Sequence, residues 1–253
     1  MKKVTFIGNG NMALSIAKGL QNEYAIEVVG RDIQKLQNFE NSLNVTISKA
    51  LIDNFDITDK TVILCVKPAN VEEIATKLKG EAKVLYSVLA GTTLKKLTSS
   101  IPSKAYVRAM PNLAASVGAS MTTLTGDISY KKEALTLFSA IGKVHWLGSE
   151  KEIDIATALA GSGPAYLALM AEALADGAVK EGLKRDDAME IMRGLFKGFG
   201  ELIQNEHPAL LKDGVMSPGG TTAAGYAVLE EKGVRGACMD AIEAAYKKAK
   251  ELS

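Results

Sequence analysis

Short apolar runs separated by stretches of helical spacing set the pattern of the first part of the chain. KVTFIG (3–8), IEVVG (26–30), TVILCV (61–66), KVLYSV (83–88) and AYVRAM (105–110) are rich in Val, Ile and Leu. Between them, NMALSIAKGLQ, IQKLQNFENSL and NVEEIATKLKG carry apolar residues at helical periodicity. Strands alternating with helices predict a parallel sheet covered on both faces. GASMTTL (118–124) and KVHWLG (143–148) are candidate strands at the far edge. After about residue 150 the pattern changes. No strand signature follows Lys151, and helices are predicted over about 165–182, 186–205, 220–231 and 234–251. Gly194 and Gly198 leave smooth helix faces suited to close packing in a bundle or between symmetric copies.

Composition narrows the class. The 253 residues are 47% hydrophobic and 23% charged, as in a soluble globular protein with a sizeable core. With 30 basic and 29 acidic residues the formal charge is +1, which gives no electrostatic case for nucleic acid or an anionic membrane. The segment MKKVTFIGNG is too short in its apolar run for a secretion signal, so a cytoplasmic location is expected. The longest uncharged stretch, Ile155 to Ala171, contains Gly161-Ser162-Gly163-Pro164 and is followed by Glu172 and Asp176, which argues for a buried helix over a membrane span. Cys65 and Cys238 form no CxxC, and buried free thiols are expected in preference to a disulfide.

The strongest local motif is FIGNGNMA. Gly8, Gly10 and Ala13 form GxGxxA directly after a strand and at the opening of a helix. Gly8 permits the tight turn, Gly10 lets a pyrophosphate approach the backbone, and Ala13 allows close helix packing. The context is that of a Rossmann-like dinucleotide site. The second strand ends in Gly30-Arg31-Asp32, with Gly30 where an NAD-selective acid usually stands. Arg31 is suited to a 2′-phosphate, which favours NADPH, while Asp32 one position on leaves NADH open. CVKP (65–68), VLAG (88–91) and RAMPN (108–112) end strands on the same sheet edge. Lys67 is placed for phosphate or ribose, and Asn112 for the nicotinamide or substrate.

Catalytic constellations are sparse. The chain has two histidines, His145 in an apolar edge-like run and His207 before Pro208, where it is suited to a helix cap. No HExxH, metal-ligand cluster or G-x-S-x-G occurs. Hydride transfer tolerates this poverty because the cofactor carries the reaction. VMSPGGTTAAG (215–225) is the other unusual element. Its Pro-Gly-Gly turn and paired threonines fit an anion-binding nest at a helix start, and equally a threonine N-cap.

Together these segments resemble the pyrroline-5-carboxylate reductase family, which reduces a cyclic imine with NAD(P)H in the last step of proline biosynthesis. The resemblance spans the chain through FIGNGNMA, CVKP, MPN, GSGPAY (161–166), ALADGAVKEGL (173–183) and SPGGTT. It implies a Rossmann-like domain over 1–150 and an all-α domain over 151–253 through which a homodimer forms, with dimers often assembling further. It implies cofactor contacts from Ile7, Gly8, Asn9, Gly10, Asn11, Met12, Ala13, Arg31, Val66, Lys67, Pro68, Ala90 and Asn112. Ser217, Gly219, Gly220 and Thr221 would hold the substrate carboxylate, with Thr222 beside the imine nitrogen as the catalytic hydrogen-bond partner. No metal is implied. Gly30-Arg31 replaces a small polar pair usual near the adenosine phosphate, and Gly214 stands where some relatives carry asparagine.

Two other readings remain at this point. One is a reductase of another cyclic imine or small carbonyl acid. The β-hydroxy-acid version normally uses a lysine on the long helix, and ALAGSGPAYLALMAEALADG has none. The other is a dinucleotide-binding regulatory protein without turnover, which the intact SPGGTT disfavours.

Overall fold

Along the first strand, β1 (Lys2–Ile7), Val4 and Phe6 enter one hydrophobic cluster and Ile7 enters another. Side chains alternate along a strand, so a run buried on both sides belongs to the middle of a sheet. The computed structural model describes residues 1–252 and places β1 well inside an eight-stranded sheet. The other strands are β2 (Tyr24–Gly30), β3 (Ser48–Leu51), β4 (Phe55–Asp56), β5 (Thr61–Leu64), β6 (Leu78–Lys79), β7 (Val84–Ser87), β8 (Tyr106–Met110), β9 (Ser120–Gly126) and β10 (Gly142–Trp146). Their order is β10-β9-β8-β7-β5-β1-β2-β3, with β4 and β6 forming a small separate pair. All neighbouring pairs in the large sheet are parallel except β8 and β9, which the sequence pattern did not foresee.

Helices cover both faces, as the alternation predicts. On one face, α1 (Asn11–Leu20) and α2 (Ile33–Asn41) pack Ile16, Leu20, Leu36 and Phe39 against Phe6 and Val28. On the other, α3 (Val71–Ala75) and α4 (Leu94–Ser100) bring Val71, Ile74 and Leu97 to Ile7, Val62 and Leu64. Each large apolar side chain fully buried in this way contributes about 1.5–3 kcal/mol. Sequence reading missed α4 on this face and, on the first face, α5 (Lys131–Ser139), whose Leu137 and Phe138 close the first cluster.

After β10, α6 (Glu150–Ala156) opens with a capping box in which Ser149 accepts from Glu152 N–H and the Glu152 carboxylate accepts from Ser149 N–H. The helix does not stop at Gly161-Ser162-Gly163-Pro164. A π-type turn over Thr157–Gly161, with Ser162 N–H donating to Thr157 O at 3.0 Å, carries it into α7 (Gly163–Lys180). The expected interruption is therefore a widened turn, which accommodates a proline whose missing N–H would otherwise break the ladder. Among the described residues, Glu150–Lys180 is the helical run long and apolar enough to cross a membrane by length and composition, with a mean hydropathy of 1.3 and 17% of that window buried.

The chain divides into two compact units, Met1–Pro164 with the chain from Ala244 onward, and Ala165–Glu243. The second unit contains most of α7, then α8 (Arg185–Leu202), α9 (Pro208–Val215), α10 (Thr221–Glu231) and the first part of α11 (Val234–Leu252). The short α9 is the helix that the sequence reading missed there. His207 caps it, its Nδ1 accepting from Ala209 N–H at 3.2 Å. Both cysteines are free. Cys65 is half-buried, but Cys238 is exposed, contrary to the expectation, at an open groove between α10 and α11 lined also by Tyr226, Leu229 and Met239. His145 is exposed on the edge strand β10.

Candidate active site

Chain order runs β1, β2, β3 to one side of the sheet and resumes with β5, β7, β8 on the other. The order reverses between β1 and β5, which opens a ligand crevice beyond their C-terminal ends. A cavity of about 560 Å³ lies there and collects Ile7, Gly8, Asn9, Gly10, Arg31, Val66 and Lys67. Of the other residues anticipated for the cofactor, Asn11, Met12 and Ala13 form the first turn of α1, Pro68 opens a 3-10 turn, and Ala90 and Asn112 lie in the loops after β7 and β8. Sequence reasoning missed Lys35, Asn70 and the apolar wall of Val29, Ile52 and Ile74. Lys35 was the findable one, since it falls in the first turn of the helix that follows Gly30-Arg31-Asp32.

Local geometry explains the glycines. Gly8 has φ +105°, and a Cβ there would lie 2.7 Å from the carbonyl oxygen of Cys65. A side chain is therefore excluded by both backbone conformation and space. Gly10 N-caps α1 without a side-chain bond, and a Cβ there would meet nothing within 4 Å. The first intrahelical bond is Leu14 N–H to Gly10 O at 3.0 Å, so the N–H groups of Asn11, Met12 and Ala13 have no partner within the helix. No acid stands in that first turn. An open, donor-rich helix start of this kind is built for an anionic group.

The end of β2 answers the question about Asp32. Its carboxylate accepts from Gln34 N–H at 2.9 Å and Lys35 N–H at 3.2 Å, capping α2. At Gly30 a Cβ would come within 3.0 Å of Leu36 Cδ2 and 3.1 Å of Asn9 Oδ1, so this position tolerates bulk poorly. Arg31 is exposed at the cavity, 3.7 Å from Glu73. Cys65 contributes shape rather than reactivity, since burial pushes its thiol pKa up and keeps it protonated. Asn112 has a definite local role. Its Oδ1 accepts from Ala114 N–H at 3.2 Å and its Nδ2 donates to Ala160 O at 3.0 Å, joining the loop after β8 to the π-type turn.

In the helical unit, Ser217-Pro218-Gly219-Gly220 is a tight turn closed by Gly220 N–H to Ser217 O at 3.0 Å. Gly219 has φ +69°, and Pro218 before it gives the residue order of a type II turn. Gly220, not a threonine, is the N-cap of α10, and it makes no side-chain cap bond. The threonine-cap alternative is thereby excluded. Ala224 N–H to Gly220 O is the first helical bond, so Thr221, Thr222 and Ala223 present N–H groups without an intrahelical partner. Both threonines are exposed, and the hydroxyls sit beside these donors. Among the described residues no His, Cys, Asp and Glu cluster could hold a metal.

Comparison with known proteins adds to this geometry. A family model described as pyrroline-5-carboxylate reductase dimerisation matches residues 150–252, and one described as NADP oxidoreductase, coenzyme F420-dependent, matches residues 3–91. The chain is 40% identical over 264 residues to the pyrroline-5-carboxylate reductase of Pisum sativum, covering 98% of this chain and 95% of that one. The chain belongs to the pyrroline-5-carboxylate reductase family. The solved reductase of Streptococcus pyogenes aligns with a TM-score of 0.88 at 31% identity, covering 98% of both chains. The pyrroline carboxylate reductase of Plasmodium falciparum, solved with NADP bound, aligns with a TM-score of 0.81 at 27% identity, covering 99% of this chain and 98% of that one. The stretch that matches the NADP oxidoreductase model includes β1, β5 and the residues of the crevice between them, and the helical part carries the family's dimerisation region.

Proposed function

We propose that this protein reduces 1-pyrroline-5-carboxylate to L-proline, the last step of proline biosynthesis, with NADPH as the preferred reductant and NADH as a weaker one. The full-length match to reductases of this name, 95% of the Pisum sativum chain included, carries the reading. The dinucleotide fits the residues present: Gly8 clears the backbone, Gly10 opens the α1 N-terminus, and Lys35 and Arg31 line the crevice, Arg31 in a loose, exposed pair with Glu73. When bound, the cofactor supplies the hydride.

The chain's own residues do the rest. Unpaired N–H groups of α1 hold the pyrophosphate, and the apolar wall of Ile52 and Ile74 takes the adenine. Arg31 and Lys35 bind the 2′-phosphate, a reading supported by Asp32 being engaged as the α2 cap. Ser217, Gly219, Gly220 and Thr221 hold the substrate carboxylate through backbone N–H groups at the start of α10. The Thr222 hydroxyl hydrogen-bonds the imine nitrogen. An imine that arrives protonated needs orientation more than acid catalysis.

Functional halves of 1–150 and 151–253 are supported by the dimerisation match beginning at residue 150. A homodimer in the cytoplasm is the working unit, and a higher assembly of such dimers is compatible with it. Uncovered leucines in the helical unit support the dimer. The test is isotopic: NADPH deuterated at the transferring position is incubated with enzyme and imine, and the product is analysed by mass spectrometry. L-proline carrying one deuterium at the former imine carbon is expected. Unlabelled proline, or none, would refute hydride transfer to this substrate.

A further inference from the structure

Among the described residues, Arg108 is the largest fully buried side chain, at 1% exposure. It stands on β8, where a run of apolar residues would serve the sheet as well. Its guanidinium Nη1 donates to Glu150 Oε1 and its Nη2 to Asp154 Oδ1, both at 2.9 Å. Glu150 and Asp154 are one turn apart on α6, so the arginine grips one face of that helix. The same Glu150 Oε1 accepts Leu94 N–H at 2.8 Å and so ties down the end of the loop that follows β7. The Nε of Arg108 is buried without a partner, which shows that its orientation is set by the two carboxylates and not by general satisfaction.

Four residues further along the same segment, Asn112 donates to Ala160 O at 3.0 Å in the π-type turn that continues α6. RAMPN therefore holds the α6 segment at two points, through Arg108 at its start and Asn112 at its end. Buried ion pairs are weak sources of net stability but strong fixers of arrangement. Dinucleotides lie across the point where strand order reverses, with the adenosine end at β2, so the loops after β7 and β8 belong to the nicotinamide end.

We propose that Arg108, with Glu150 and Asp154, is a positioning device for the nicotinamide end of the crevice. It fixes the loop after β7 and, together with Asn112, the π-type turn, and thereby sets the rate of hydride transfer without holding the adenosine end. The inference rests on the reductase reading above.

Asp154→Asn, Asn112→Ala and their combination test it. For each, kcat, the KM for the imine, the dissociation constant of NADPH from fluorescence titration, and the melting temperature are measured. Each single variant is expected to lower kcat about tenfold or more, as small misplacements do. In Asp154→Asn, which touches no residue assigned to the cofactor, NADPH affinity is expected to stay within about twofold, and the kcat of the double variant to fall little below that of the worse single one, because both contacts hold one segment. Arg108→Lys keeps the charge but not the two-pronged grip, and is expected to fold and to lose kcat in the same way. Undiminished kcat, losses that multiply in the double variant, or parallel loss of NADPH affinity and kcat in Asp154→Asn would overturn the proposal. No imine-dependent turnover in the unaltered protein would overturn the reductase reading itself.

Discussion

The two units of this protein treat their apolar residues in opposite ways. In Met1–Pro164 the sheet and its helices bury most of their large aliphatic and aromatic side chains in two clusters, one on each face. Between Ala165 and Glu243 only Ala175 and Ala188 are buried among the described residues. Ile191, Leu195, Phe199 and Leu202 recur at helical spacing along α8 and are all exposed, Leu195 at 56%. A Cβ built at Gly194 or Gly198 on the same helix would meet nothing within 4 Å. Contiguous uncovered apolar surface on this scale marks an interface. The first unit builds its own core, whereas the second leaves its apolar faces uncovered, which is what the proposed dimer would cover. The dimerisation match over 150–252 falls on the uncovered part.

The contrast breaks most severely at α8. Leu195→Glu is expected to dissociate the dimer by at least about 100-fold, roughly the cost of an unpaired charge in an apolar contact. Sedimentation analysis should show monomers that still bind NADPH but have lost turnover. An intact, active dimer would show that this stripe is not the interface. The matching insult to the first unit is Gly8→Ala, where strain of about 1–3 kcal/mol adds to collision with the Cys65 carbonyl. There NADPH affinity should collapse while the dimer persists, as titration and sedimentation together would reveal.

Smaller effects sharpen the division of labour. Thr222→Ala is expected to lower kcat about 100-fold with NADPH affinity nearly unchanged. Equal loss of both would make the threonine structural. Arg31→Ala should reduce the NADPH-to-NADH preference about tenfold or more by removing a charged contact to the 2′-phosphate. An unchanged ratio would remove Arg31 from that contact, leaving Lys35 to be tried.

The smallest effect lies at the opposite end of the sheet. Burial works to raise the pKa of Glu27, but hydrogen bonds from Lys3, Lys60 and Thr5 outweigh it and hold the carboxyl below the ordinary carboxylate value. A depressed folded pKa contributes stability that is present above the unfolded value and is lost as pH falls through the folded one. Glu27→Gln should therefore flatten the acid side of the melting-temperature profile below about pH 4.5 without altering turnover near neutrality.

What could be read from the sequence follows the same division. The central strands were legible because burial on both faces leaves unbroken runs such as KVTFIG and TVILCV. The edge strand β3, Ser-Lys-Ala-Leu, was not, since it is four residues long, pairs with β2 alone and is only partly buried. The turn to antiparallel pairing at β9 leaves no mark in composition. By contrast α6 carried a readable sign, the Ser149–Glu152 capping box, and was passed over. GSGP looked like a break because proline and glycine usually are one, and only the widened turn explains its continuation. At the site, GxGxxA and SPGGTT were legible because glycines there answer to backbone demands. Arg108, Glu150 and Asp154 were not, because a pairing across 42 and 46 residues has no local signature.

The central claim is that this chain couples a dinucleotide crevice to reduction of a cyclic imine. Its most direct test is the absorbance of NADPH followed with purified protein, with and without 1-pyrroline-5-carboxylate, and repeated with NADH. Oxidation that depends on the imine and runs faster with NADPH at equal low concentration is the expected result. Cofactor binding without imine-dependent oxidation would contradict the account.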